Sequence, residues 1–237
     1  SKTFYTHSVH ADHGIAISFI GNDNGLIDGK SNADVLLGGL IHNPDGATTI
    51  NAGTNIERLS GDALIISKDL TLTAGKGIGT TTVAGTQAGI NMDVTNVLTA
   101  TTTSGDIVMK DIAGDLKADR ITTGSGNVDV SAQNNLYMTG TGASNVIRGN
   151  QINLTATNGS IGTSSAAVNL DTGAGEAGLL TASASSGIFV KETSGDLRLN
   201  TVHAGGDVYV ESVNGRIIDG NRNDARDVRA EAQLLSL

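Results

Sequence analysis

The chain has 237 residues and a formal charge of −9, with 38 % hydrophobic residues but only 3 % aromatics, no Trp and no Cys. The acid excess argues against nucleic acid or an anionic membrane surface as partner, and the lack of Cys excludes disulfides, cysteine-zinc sites and thiol catalysis. No apolar run reaches the roughly 18 residues of a membrane span, and any core has to be filled by Val, Ile, Leu and Ala.

Short stretches along the chain alternate apolar and other residues with period two: Ile15 and Ile17, Leu70 and Leu72, Val128 and Val130, Ile152 and Leu154, Val208 and Val210. That spacing predicts strands with one buried face. Between them stand clusters such as SGD, AGD, GGD and TNG, whose Gly, Asn and Asp residues supply turns. Strands recur every ten or so residues, which leaves no room for intervening helices. Residues 223–235 are rich in Ala and Arg, but the terminal LLSL falls where other parts of the chain carry Leu-x-Leu strands, so the tail too is assigned as strand.

The chain also repeats itself over long range. LTATTTSGDIVMKDIAGDLKADRITTGSGNVDV (98–130) aligns with LTASASSGIFVKETSGDLRLNTVHAGGDVYV (180–210), and LTLTAGKGIGT (70–80) aligns with INLTATNGSIGT (152–163). Leu98 to Leu180 and Leu72 to Leu154 are both offsets of 82 residues, which predicts a long repeat of about that length. Val9-His10-Ala11, Ile121-Thr122-Thr123 and Val202-His203-Ala204 then occupy one repeat position. Against this frame the first copy carries about 26 extra residues somewhere within 30–62, around the only proline, Pro44. The pattern is already under way at Ser1, so the reading expects one continuous solenoid over 1–237 cut from a longer chain.

A sandwich or barrel needs no such period, whereas a solenoid stacks similar coils and generates one. The expected fold is therefore all-β, a parallel β-solenoid with about 20 residues per coil and four coils per long repeat. Small aliphatic residues suit the narrow column that each coil encloses, and runs such as Thr101-Thr102-Thr103 suit outward strand faces.

The order GxIGT, LTATTxSGxIxV, GDLxL and GDVxVxSxxGxIxD resembles the giant secreted or surface-anchored bacterial proteins of the filamentous haemagglutinin type. The resemblance spans nearly the whole chain apart from 30–62. It implies a right-handed parallel β-helix and an extracellular or cell-surface location. It further implies a stalk or passenger role in attachment, with a cell-surface glycan or protein as partner. Self-assembly into filaments by stacking of solenoid ends is the alternative, and a polysaccharide-active β-helix enzyme a further one.

Individual residues offer few chemical sites. His7, His10, Asp12 and His13 lie close in sequence, but on a strand His7 and His13 share a face that His10 does not, a poor geometry for chelation. GKSNADVLLGG (29–39) resembles a single unit of the glycine- and aspartate-rich calcium repeats, which act in series. No cofactor is expected, and calcium, if bound, would fall to Asp28 and Asp34. Lys110 with Asp111 and Lys191 with Glu192, near Asp115 and Asp196, are the only candidates for catalysis. They occur in matching copies, whereas an active site is assembled once, so they are assigned to solvated surface charge and no catalytic residue is expected. The insertion would either project as a loop, with Asn43, Asp45 and Thr48 contacting a polar ligand, or add a coil with no ligand.

Overall fold

A computed structural model describes residues 7–20, 25–80, 82–83, 86–87, 89–173, 175–221 and 228–230. Strands run from His7–Ala11 to Val228–Ala230, and the only helical element among the described residues is a single 3-10 turn at Gly175–Ala177. Every pairing between strands of the large sheet is parallel. The chain is a parallel β-solenoid.

One column of paired residues traces its axis. Ile15, Val35, Ile56, Ile78, Ile107, Val128, Ile152, Leu180 and Leu199 follow one another from coil to coil, each paired with the next. From Val35 to Leu180 these residues are fully buried, and Leu199 is nearly so. Burying each Val, Ile or Leu contributes about 1.5–3 kcal/mol, and each sits on a residue of its own kind above and below. A core of aliphatics without large rings follows from that geometry.

The segments within a coil meet at corners, and the corners explain the local sequence. Val35–Ala52 is one strand of 18 residues whose alternation of buried and exposed positions slips at Gly38-Gly39 and again at Pro44-Asp45. At the second corner Asn43 donates from Nδ2 to the carbonyls of Gly25 and Ala47, at 3.0 and 2.9 Å. A Cβ on Gly46 would lie 2.2 Å from the carbonyl oxygen of Gly25, so only glycine fits there. Residues 30–62 are therefore built into the stack: Ile27–Ser31, Val35–Ala52 and Ile56–Arg58 pair with neighbouring coils.

Two corners are tied from coil to coil by side chains that accept the next coil's backbone N–H. Asp106 Oδ1 accepts from Asn127 N at 2.8 Å, and Asn127 Oδ1 from Gln151 N at 3.1 Å. On another corner Asp115, Asn135 and Ser160 form the same ladder, ending on Gly187 N. The Gly-Asp pairs of the sequence supply these acceptors, with Gly105 and Gly114 at φ 81° and 68°, where L side chains are strained.

The 82-residue repeat is not a structural period. Leu98 pairs with Leu70 and Ala118, whereas Leu180 pairs with Ile152 and Leu199, in a different column. Ile78 and Ile161 are likewise equivalent in sequence but stack on Ile56 and Ile107 in one case and on Leu136 and Ile188 in the other. Val202–Ala204 also lies in a different column from Val9–Ala11. The sequence repeats a local unit of strand, corner and turn, with Gly79 and Gly162 following at nearly equal φ of 68° and 69°, and it reuses that unit on another face. Coils take between 19 and 29 residues along the axial column, commonly about 21, so no fixed long period can hold. The longest contains the small hairpin Thr82–Val83 and Thr86–Gln87. The terminal LLSL lies outside the described residues, while Val228–Ala230 within the tail is a strand.

Shortening Ile107 to Ala should lower unfolding free energy by about 2–5 kcal/mol. Asn135→Ala, which removes one rung of a solvent-accessible ladder, should cost only about 1 kcal/mol. Urea unfolding monitored by far-UV circular dichroism checks both, and equal effects would contradict the division of stability between column and corner.

Candidate functional site

The residues singled out from sequence are placed as follows. Asn43 and Thr48 are buried, and their polar atoms are used inside the coil: Asn43 as described above, Thr48 Oγ1 against Ser67 Oγ at 3.0 Å. Asp45 is exposed at the corner between them, and Asp28 is half-buried in Ile27–Ser31. Asp34 accepts hydrogen bonds on Oδ1 from Thr54 Oγ1, Asn55 N and Asn55 Nδ2. The Thr54 hydroxyl is the largest cause holding its carboxyl below the usual range, followed among favourable contacts by Asn55 and the charge of Lys76. Asp12 accepts from Asn32 Nδ2 at 2.8 Å. Among the described residues no three His, Asp or Glu side chains come together as a metal site.

Asp111 and Glu192 overturn their assignment to solvated surface charge, since both are fully buried. The phase of the strands is the reason. Ile107, Met109 and Asp111 share the inward face of one strand, and Ile188, Val190 and Glu192 that of another. The same alternation that identified the strands held this information. Their flanking lysines, Lys110 and Lys191, alternate outward. Thr102 is inward as well, donating to the carbonyl of Gly105 at 3.1 Å.

The two buried acids differ in their partners. Glu192 accepts from Thr172 N, Thr172 Oγ1 at 2.9 Å and Ser194 N at 3.2 Å. Burial still outweighs these bonds and raises its pKa. Asp111 receives only Val94 N, at 3.3 Å on Oδ1, and its Oδ2 has no partner. Burial pushes its carboxyl up to about 7, with the nearby Asp93 and Asp115 adding to the rise against the Val94 bond.

Glu192 braces one wall of a surface groove. Thr172 and Ser194, which it holds, line a groove of about 670 Å³ together with Thr123, Gly149, Asn150, Gly173, Gly175, Arg148, Asp171, Asp196 and Arg198. Thr123, Gly149 and Thr172 end strands on successive coils, with Arg148 paired to Thr122 on one side and Asp171 on the other. The groove therefore runs parallel to the rod axis. Sequence reading missed it because Arg148, Asp171 and Arg198 are far apart in sequence and come together only through coil lengths that no pattern displays.

Its charges are arranged in an uneven set. Arg148 Nε donates to Asp171 Oδ2 at 2.6 Å. Arg216, just beyond the lining, grips Asp196 through N, Nε and Nη2, and this holds the Asp196 carboxyl below its ordinary range. Arg198 Nε is buried without a hydrogen-bond partner, and the Arg198 charge adds to the lowering of the Asp196 carboxyl. The lining thus holds two guanidiniums and two carboxylates, and the second carboxylate is taken by Arg216 from outside it.

No protein-family model, curated protein or solved structure matches the chain.

Opposite outcomes are expected from neutralising the two buried acids. A raised folded-state pKa means that the native chain holds a proton that the unfolded chain has released, so stability falls as pH rises from about 4 to about 7. Asp111→Asn should thus stabilise the protein on the order of 3 kcal/mol at pH 8 and much less at pH 5. Glu192→Gln should destabilise it by about 1–3 kcal/mol, because an amide N–H₂ meets the donors of Thr172 and Ser194. Unfolding midpoints in urea at the two pH values check both, and an unchanged pH dependence in Asp111→Asn would contradict the reading.

Proposed function

We propose that the chain is an extracellular structural and adhesive segment, a stalk or passenger of a large bacterial surface or secreted protein that mediates attachment to a cell surface or matrix. The observation that carries this reading is the unbroken axial column from Ile15 to Leu199, a rod core with the same construction throughout. At about 4.8 Å per coil its nine rungs extend roughly 40 Å, and a stack of this kind lengthens simply by adding coils. The resemblance of its motifs to filamentous haemagglutinin-type proteins supports the same role. The role requires no cofactor and no reaction, and its partners are neighbouring coils and a surface glycan or protein.

An apolar hollow of about 430 Å³ near the first coils, lined by Ile15, Ile17, Phe19, Ile27 and Ile41, favours a second reading, in which copies stack end to end as a filament. Covering that hollow with the last coil of another copy would continue the aliphatic column.

Antibodies against the chain should label intact cells that produce it, and beads coated with it should attach to matrix-covered surfaces. Labelling that requires permeabilised cells would overturn the extracellular role. Negative-stain electron microscopy over a concentration series separates the two readings: short rods of constant length support the stalk, and rods that lengthen with concentration support the filament.

A further inference from the structure

We propose that the axial groove between Arg148 and Arg198 binds an acidic polysaccharide, with uronate carboxylates seated on the two guanidiniums. The inference rests on the adhesive reading above and names the partner's chemistry.

The charge pattern points to an anion. The chain as a whole carries −9, yet the groove sets Arg148 and Arg198 against Asp171 and Asp196, and Asp196 is already gripped by Arg216 from just beyond the lining. Arg198 is the cation left over: its Nε has no hydrogen-bond partner, and the carboxylate on which its charge acts, Asp196, is already gripped by Arg216. Arg148 uses Nε for Asp171, its side chain remains 54 % exposed, and its terminal nitrogens make no hydrogen bond to a described residue. Two guanidinium forks with donors to spare, held on one rigid sheet, match carboxylate groups bidentately.

The rest of the lining selects the polymer. Asn150 and the exposed Ser194 offer polar groups suited to sugar hydroxyls, the Thr123 and Thr172 hydroxyls turn inward to Gly105 and Glu192, and the glycines between them leave the floor without side chains. Thr172 and Ser194 are fixed from beneath by Glu192, so their positions are set before any ligand arrives. A peptide docked as an added strand or an amphipathic helix needs a free strand edge or apolar pockets. The strands beneath the groove are paired on both sides, and no large apolar side chain lines it. The groove follows the rod axis across successive coils, so an extended chain contacts several rungs at once.

The test is affinity electrophoresis and titration calorimetry of the full chain with polygalacturonate, with a neutral galactan and dextran sulfate as comparison polymers. Polygalacturonate should bind, the neutral polymer at least tenfold more weakly, and both Arg198→Ala and Arg148→Ala should weaken polygalacturonate binding at least tenfold. Lys68→Ala, an equal charge change at an exposed position remote from the groove, should leave it unchanged, and the circular dichroism of each variant reports on folding. Equal binding of the galactan, equal loss in Lys68→Ala, or unchanged binding in Arg198→Ala would overturn the proposal. Preference for dextran sulfate would overturn the assignment to uronates. Cell-surface labelling is read independently, so the groove can fail while the adhesive role stands, and the reverse.

Discussion

Everything in this molecule depends on parallel hydrogen bonding between coils in fixed register. A coil of about 21 residues encloses too little volume to hide its own apolar face. It becomes stable only when each inward side chain meets its counterpart one coil above and below. That condition selects aliphatics of similar size at successive rungs, as in Ile56, Ile78 and Ile107. It also explains why coil length can vary widely: extra residues leave at a corner, as in the hairpin after Ile78, without disturbing the column.

Corners carry the second layer of specification. An in-register sheet leaves the backbone N–H groups at each bend without an obvious acceptor, and an unmet buried or half-buried donor is costly. Asp and Asn solve this by accepting from the equivalent N–H of the next coil, so the corner ladders report the same register as the aliphatic column. Where a corner needs a positive φ the sequence places glycine, as at Gly105 and Gly114 ahead of their aspartates. The acidic composition thus has a structural component, because many of its aspartates act as backbone acceptors rather than as free surface charge.

Fold class was legible because its signals are local: period-two alternation and Gly-Asp turns act over a few residues. The long repeat misled for the same reason. A unit such as LTLTAGKGIGT encodes strand, corner and turn correctly wherever it occurs, but nothing within it states which face it will occupy. Residues 30–62 broke an alignment, yet their Asn43-Pro44-Asp45-Gly46 stretch is a corner in which Asn43 and the Gly46 carbonyl are bonded within the stack while Asp45 stays exposed. The inward acids were readable in principle from strand phase, since Asp111 sits two residues beyond Met109. The groove was not readable at all, because its register depends on three unequal coil lengths between Thr123 and Ser194.

Since register underlies the core, the ladders and the groove alike, the most direct measurement is a disulfide between coils. The chain has no cysteine of its own. Thr73 and Thr101 are paired on adjacent coils, with Oγ1 atoms 3.5 Å apart on the outer face, within reach of a disulfide whose Cα atoms lie about 4.4–6.8 Å apart. Thr73→Cys/Thr101→Cys should oxidise quantitatively within the monomer and resist urea better than its reduced form. Thr71→Cys/Thr101→Cys, shifted by two residues, should remain reduced under the same conditions. Efficient closure of the shifted pair, or failure of the aligned one, would contradict the coil register on which the account stands.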